Sequence, residues 1–240
     1  MNTELIKANF IENGFLEKDF AQFEQAFTML VQAQGNKGDV SRENRLLNLR
    51  FRLSLDLQIG IKTALSETKT DDVKNAYICI FKFMDLWNVF ELSLRSGKVR
   101  KSIKTEKITE LCDKDFEAME ICKILDTALS KLQSLIEKNK NAEYFVNYKN
   151  HLYEITTEGT ALQNVLAEIK PDAPLTRRQF FALLYAERNA YYHGGEAARA
   201  HAPYSFRQEI VSIYITTLQK IIARFGAKLF QAETNNETGV

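Results

Sequence analysis

The side chains best suited to chemistry are concentrated in residues 187–195, which read Glu-Arg-Asn-Ala-Tyr-Tyr-His-Gly-Gly. Arg188 is a permanent cation that can hold a phosphate through two parallel hydrogen bonds. His193 carries an imidazole that exchanges a proton near neutral pH. Asn189 lies four residues before His193, so on a helix its amide can orient the imidazole and select its tautomer. A fixed cation, an acid/base and an orienting amide are parts that metal-independent cleavage of a phosphodiester needs.

These residues fall at the predicted end of a helix. Arg188 and His193 are five residues apart, which separates them by about 140° around an unbroken helix and about 7.5 Å along it. Gly194 is expected to let the backbone leave the helix there, and the long Arg188 side chain can then approach the imidazole. The C-terminal end of a helix also favours the protonated form of His193.

The arrangement Arg188-Asn189-x-x-x-His193-Gly194 in a helical chain resembles the R-x4-6-H signature of the HEPN superfamily. The resemblance implies an all-α bundle and a metal-independent endoribonuclease without a cofactor. It implies that Arg188 and His193 are catalytic, and that Asn189 fills the polar position after the arginine. It further implies an RNA substrate, a homodimer with one composite cleft, and a toxin or antiviral-defence setting with an antitoxin or a defence complex as a possible partner.

Two other interpretations use the same residues. Arg188 can form an ordinary ion pair at a helix end while His193 caps carbonyl groups. Alternatively, the chain is a non-catalytic HEPN-like scaffold or interaction module within a larger defence or signalling complex. Tyr191 and Tyr192 can stack on RNA bases or pack a dimer interface.

Basic residues near the motif and in the segment 95–107 are candidate RNA contacts. That segment has six basic residues against Glu106, so it can follow RNA phosphates or form a solvated loop. Arg199 and Arg207 are weaker phosphate-contact candidates. The RNA-binding candidates are Tyr192, Arg177, Arg178, Lys98, Arg100 and Lys101.

The composition excludes several classes of protein. The chain has 240 residues, of which 45% are hydrophobic, so it is too apolar for a disordered chain. Lys and Arg total 32 against 31 Asp and Glu, for a net charge of +1. This balance excludes a protein that coats nucleic acid with a global basic field, but it leaves room for a local basic patch.

Three cysteines, with no Cys-x-x-Cys pair, favour reduced thiols over a disulfide framework. The chain has no signal-peptide pattern and no uninterrupted apolar run of 18 residues, so a cytoplasmic protein without membrane contact is expected. Phosphate-binding glycine loops and HExxH or GxSxG motifs are absent from the sequence. The three histidines are too few and too scattered for a zinc site, and no metal is expected.

Hydrophobic periodicity predicts a helical chain with few breaks. In residues 40–66 the apolar stripe includes Leu46, Leu49 and Leu53.

Predicted domains are an N-terminal helical extension over 1–69 packed on the bundle, a HEPN-like bundle over 70–232, and a disordered tail over 233–240. The predicted helices are 16–34, 40–66, 71–96, 106–138 (with a possible break at Asp113), 142–169 (with a weak point near 156–160), 175–193 and 205–231.

Overall fold

The structure is a computed structural model that describes residues 14–57, 71–97, 121–138, 141–157, 159–170, 172–194 and 202–238. Side chains of residues 14–16, 71–72 and 192–194 are not part of this description. The described residues form eight α-helices and contain no strand. The predicted all-α class is therefore confirmed over these ranges.

The helices follow one another along the chain with short connections where the connection is described. They are α1 (Gly14–Ala33), α2 (Arg42–Asp56), α3 (Asp71–Ser96), α4 (Ile121–Ile136), α5 (Asn141–Ile155), α6 (Ala161–Ala167), α7 (Arg177–Gly194) and α8 (Tyr204–Thr238). The prediction of a helix over 71–96 is confirmed residue for residue. The expected break at Asp113 lies outside the described residues.

Local sequence signals account for several helix ends. The Ser41 side chain caps α2 by accepting a hydrogen bond from the Asn44 amide. After α1, Gly35 has a φ of 83°, a left-handed conformation that glycine adopts without strain. The weak point predicted near residues 156–160 is confirmed, because α5 ends at Ile155 and Thr160 caps α6.

Contacts divide the described residues into two compact units. The first lies within 1–58, 85–102 and 218–240, and the second within 59–84 and 103–217. Each of α3 and α8 contributes residues to both units. The units therefore differ from the contiguous division expected at residues 69 and 70, because two long helices are each shared between them.

An aromatic cluster forms the core of the first unit. The Phe23 ring lies 5.1 Å from that of Phe51 and 5.2 Å from that of Phe230. These rings, which are all fully buried, join α1, α2 and the end of α8. Aromatic pairs at such distances contribute about 0.5–1.5 kcal/mol each beyond their area burial.

The buried face of α2 is not the leucine stripe of the sequence analysis. Leu47, Phe51 and Leu55 are buried, together with the polar residues Asn44, Asn48 and Ser54. The stripe residues are exposed, at 36% for Leu46, 47% for Leu49 and 45% for Leu53. Helix α2 has two apolar stripes on different faces, and the aromatic cluster contacts the one that contains Phe51.

The last helix is longer than predicted. Helix α8 continues to Thr238, so the prediction of a disordered tail is wrong for residues 233–238. Asn44 donates a hydrogen bond of 2.6 Å to the carboxylate of Glu233, and Thr234 is buried. These contacts with the first unit compensate for the polar composition of the segment.

Helix α7 is central to the second unit. Each of its eight residues from 180 to 187 is buried, and helices α4, α5 and α6 all contact it. A helix that is buried on all sides has its rotation and position determined by several neighbours at once. Among the described helices, none combines the length and apolarity needed to cross a membrane.

The first unit offers a test at Gly226, where α8 approaches the aromatic cluster. A Cβ atom at this position would lie 2.5 Å from Cε2 of Phe23. Gly226→Ala should lose about 1–3 kcal/mol through overpacking, which outweighs the intrinsic helix gain of about 1 kcal/mol. Urea unfolding measures this change. In a double-mutant cycle, Phe23→Leu should reduce the cost of Gly226→Ala, whereas a stabilising Gly226→Ala would contradict the close approach.

Candidate active site

The predicted motif begins where the buried helix α7 reaches the surface. Glu187 is 1% exposed, whereas Arg188 and Asn189 immediately after it are half-buried. Ala190 is again buried and Tyr191 is half-buried. Arg188 and Asn189 thus project from a rigid element, which is a suitable base for a binding or catalytic group.

Two neighbours within the helix hold the Arg188 side chain. Its Nη1 donates a hydrogen bond of 3.1 Å to Oδ1 of Asn189. Its Cζ lies 6.0 Å from the centroid of the Tyr185 ring, at the outer limit of a cation–π contact. The structure therefore brings Arg188 and Asn189 together and restricts the guanidinium before any ligand binds.

The backbone of α7 stays helical through His193 and Gly194. The chain therefore does not leave the helix before Gly194, contrary to the expectation, and the backbone keeps Arg188 and His193 about 140° apart around the helix. The i, i+4 relation between Asn189 and His193 holds for the backbone. The side chains of Tyr192 and His193 lie outside the described residues. A contact of either with Arg188 stays a prediction.

Glu187, the residue before Arg188, forms a buried ion pair with Arg207. Glu187 Oε1 accepts hydrogen bonds from Arg207 Nη2 at 2.6 Å and from Arg207 Nε at 3.2 Å. The side chains are 1% and 2% exposed. At such burial the loss of either partner would leave an uncompensated charge in a medium of low dielectric constant.

Two buried tyrosines complete this network. The Tyr148 hydroxyl donates to Glu187 Oε2 at 2.9 Å and lies 3.4 Å from the hydroxyl of Tyr214. Burial raises the pKa of Tyr148 well above its usual value, and the Glu187 carboxylate raises it further. Burial likewise raises the pKa of Tyr214. Both phenols therefore stay protonated at neutral pH and can donate.

The same network corrects one sequence prediction. Arg207 was a candidate phosphate contact, but it is 1% exposed and committed to Glu187, so that role is wrong. Burial alone would lower the pKa of Arg207, but the Glu187 carboxylate outweighs this effect and raises it. In the sequence, the sign of a buried ion pair is Glu187, a single carboxylate that directly follows the apolar run 180–186.

The other RNA-binding candidates lie apart from Arg188 or outside the described residues. Arg177 pairs with Asp126 through Nε–Oδ1 and Nη2–Oδ2 bonds of 2.7 and 2.8 Å. It begins α7, about 16 Å along the helix axis from Arg188, and the exposed Arg178 follows it. Lys98, Arg100, Lys101 and Arg199 are not among the described residues.

Tyr191, one turn beyond Glu187, contacts a second aromatic residue. Its ring lies 5.7 Å from that of Phe81 on α3, in an edge-on arrangement. Phe81 is 39% exposed. Tyr191 therefore packs against a residue of its own chain, and its predicted roles in RNA stacking or in a dimer interface stay predictions.

A groove of about 680 Å³ with a mixed polar and apolar lining lies elsewhere in the second unit, between α4 and the first half of α8. Its lining includes Lys131, Lys138, Gln208 and Glu209, with hydroxyl groups contributed by Thr127, Ser130, Ser134, Ser205 and Ser212. The predicted site residues do not line it. The groove and the Arg188 motif are separate features of the unit.

Neither metal ligands nor similarity to known proteins assigns a further role to the site. Within the described ranges, no group of three or more His, Cys, Asp or Glu side chains is arranged to hold a metal ion. The side chain of His193 and the whole of His201 lie outside the described part of the chain, so the expectation of a metal-free site stays a prediction. In comparisons with known proteins, no family model, curated protein or solved structure matches the chain.

The buried ion pair between Glu187 and Arg207 can be compared with an exposed ion pair, because the same helix α7 also carries Arg177. Arg207→Ala should lower the free energy of unfolding by about 3–5 kcal/mol, because Glu187 remains buried without its counter-charge. Arg177→Ala, which breaks the exposed pair with Asp126, should cost less than about 1 kcal/mol. Urea unfolding followed by circular dichroism measures both changes.

A paired substitution separates charge from packing in this test. Glu187→Leu combined with Arg207→Met should be far less destabilising than Arg207→Ala, since no charge is left buried. Equal costs for Arg207→Ala and Arg177→Ala would contradict the assignment of a buried ion pair.

Proposed function

We propose that the protein is a metal-independent endoribonuclease of HEPN type. The observation that carries the proposal is the placement of Arg188 and Asn189, hydrogen-bonded to one another, where the buried stretch 180–187 of α7 reaches the surface. The i, i+4 relation of Asn189 to His193 along the helical backbone adds to it. The resemblance of residues 188–194 to the R-x4-6-H signature supports this function over other phosphate-binding roles.

Arg188 is suited to hold the scissile phosphate. Contacts with Asn189 and Tyr185 restrict its guanidinium, so less side-chain entropy is lost when a phosphate binds. A guanidinium placed in this way stabilises the additional negative charge on phosphorus in the transition state. Lysine could supply the charge but not the planar pair of donors.

Asn189 is suited to select the imidazole tautomer of His193. Its Oδ1 accepts from Arg188 through one lone pair, and a carbonyl oxygen has a second. If that lone pair accepts the N–H of the imidazole, the other ring nitrogen is left unprotonated. This tautomer is the one that a general base requires.

The reaction follows from these roles. One imidazole removes the proton of the ribose 2′-hydroxyl, and the 2′-oxygen attacks the adjacent phosphorus. The bond from phosphorus to the 5′-oxygen breaks, and a protonated imidazole gives its proton to that oxygen. The products are a 2′,3′-cyclic phosphate and a 5′-hydroxyl, and DNA resists because it lacks the nucleophile.

A homodimer would supply both imidazoles. In the dimer that the resemblance implies, two copies of the Arg188-to-His193 segment share one cleft, so one His193 can act as base and the other as acid. Selective RNA cleavage of this kind suits a toxin or an antiviral-defence nuclease. An antitoxin or a larger defence complex would then control it.

Cleavage of RNA in the presence of EDTA tests the proposal. The wild type should cut RNA, whereas Arg188→Ala and His193→Ala should each lower the rate at least about 100-fold, the usual effect of removing a transition-state or acid/base group. Arg188→Lys should recover part of the loss, because the charge returns without the fork of donors.

A matched control is Arg52→Ala, which removes a partly exposed, ion-paired arginine of the first unit and should leave cleavage unchanged. Circular dichroism should show equal helicity for all variants. If Arg188→Ala and His193→Ala cut RNA as well as the wild type, the assignment fails. If no preparation cuts RNA, the non-catalytic scaffold is the remaining interpretation.

A further inference from the structure

The strongest unexplained surface lies on α2 in the first unit. Leu46, Leu49 and Leu53 point away from the aromatic cluster and keep 36–47% of their surface exposed. Single exposed leucines are common, but three on one face of a 15-residue helix form a contiguous apolar strip. We refer to these three residues as the leucine strip.

Charged residues extend the strip at both of its ends. Arg42, Leu46, Leu49, Leu53 and Asp56 are spaced by four, three, four and three residues, the spacing of a coiled-coil seam. At 100° per residue all five lie within about 40° of a common line. The seam therefore has a cation at its start, an anion at its end and leucines between.

Both charges are unfavourable for α2 alone. Arg42 is the first residue of the helix and Asp56 the last. The N-terminal end of a helix favours anions and the C-terminal end favours cations, so each residue opposes the helix dipole. The stability of α2 alone therefore does not explain Arg42 and Asp56, and both charges are available to a partner outside the helix.

We propose that the leucine strip is a homodimer interface, in which α2 of one protomer packs antiparallel to α2 of its partner. The two-fold axis passes at Leu49, because Arg42 lies seven residues before it and Asp56 seven residues after it. In this register Arg42 meets the partner's Asp56, and Leu46 lies beside the partner's Leu53. The seam is thus complementary to itself, as a two-fold interface requires.

Three arginines lie beside the seam, and two of them are paired within the first unit. Arg50 bonds to Asp85 at 3.0 Å and Arg52 to Glu24 at 2.9 Å, both within the first unit. The basic character of α2 is therefore partly neutralised on both flanks of the strip. The third, Arg45, has no ion pair among the described residues and lies near the partner's Arg52 in this register, which favours a weak rather than a tight association.

The size of the interface sets the expected affinity. One pair of four-turn helices buries less than the roughly 1,200 Å² of a typical stable complex. Association through α2 should therefore occur at micromolar rather than nanomolar protein concentration. The inference does not depend on nuclease activity, since the strip lies in the first unit and the Arg188 motif in the second.

Sedimentation equilibrium of the full chain at micromolar concentrations tests the interface. The wild type should associate through α2, either from monomers or from dimers joined at the Arg188 cleft. Leu49→Glu should raise the dissociation constant of this α2 step about tenfold or more, because two carboxylates then meet at the axis. Met29→Glu is the matched control. Met29 on α1 is also 47% exposed, but it is outside the seam, so dimerisation should not change.

A charge exchange tests the register. Arg42→Glu and Asp56→Arg should each weaken the dimer, and the two together should restore it, since the pair across the interface is then reversed. Both substitutions agree with the helix dipole, so loss of the dimer cannot reflect a weaker α2. A monomeric wild type, a dimer insensitive to Leu49→Glu, or a double variant no better than the single ones would each overturn the proposal.

Discussion

The buried ion pair between Glu187 and Arg207 is the constraint on which the candidate site depends. It lies in the interior of the second unit, where an unpaired charge would be strongly destabilising. Because Glu187 must face Arg207 and Tyr148, the rotation of α7 about its axis is determined at this residue. Arg188 follows by about 100° around the helix, so its direction out of the core is determined as well.

The two tyrosines make the constraint more specific. Tyr148 comes from α5 and Tyr214 from α8, while Glu187 belongs to α7, so three helices meet at one carboxylate. A buried polar network in an apolar core allows few alternative arrangements, because a displacement would separate the Glu187 carboxylate from its donors. The second unit thus presents the motif on a rigid base, whereas the first unit carries the leucine strip.

Periodicity predicted the helices well because long amphipathic segments with few glycines and prolines have few alternatives. The ends of α1 at Gly35 and of α5 near Gly159 were predictable, since only glycine adopts a positive φ freely. Periodicity could not select the buried face of α2, where two apolar stripes compete. Burial of the stripe with Phe51 depends on Phe23 and Phe230, which are far away in sequence.

The candidate site was predictable only in part, because the sequence displays local patterns but not contacts between distant residues. Arg188, Asn189 and His193 form a local pattern that the sequence displays directly. The partnership of Glu187 with Arg207, 20 residues away, and with Tyr148, 39 residues away, has no local signature. The extension of α8 to Thr238 likewise depends on distant partners such as Asn44, so the polar composition of that segment was misleading.

The chemistry of cleavage tests the central claim most directly. An RNA oligonucleotide and a copy with one 2′-deoxyribose at the cleaved position should be incubated with the protein in EDTA, and the products analysed by mass spectrometry. The proposed mechanism predicts a 2′,3′-cyclic phosphate and a 5′-hydroxyl from the RNA, and no cleavage at the deoxyribose. Cleavage at the deoxyribose, or products with a 5′-phosphate, would contradict attack by the 2′-hydroxyl and with it the proposed function.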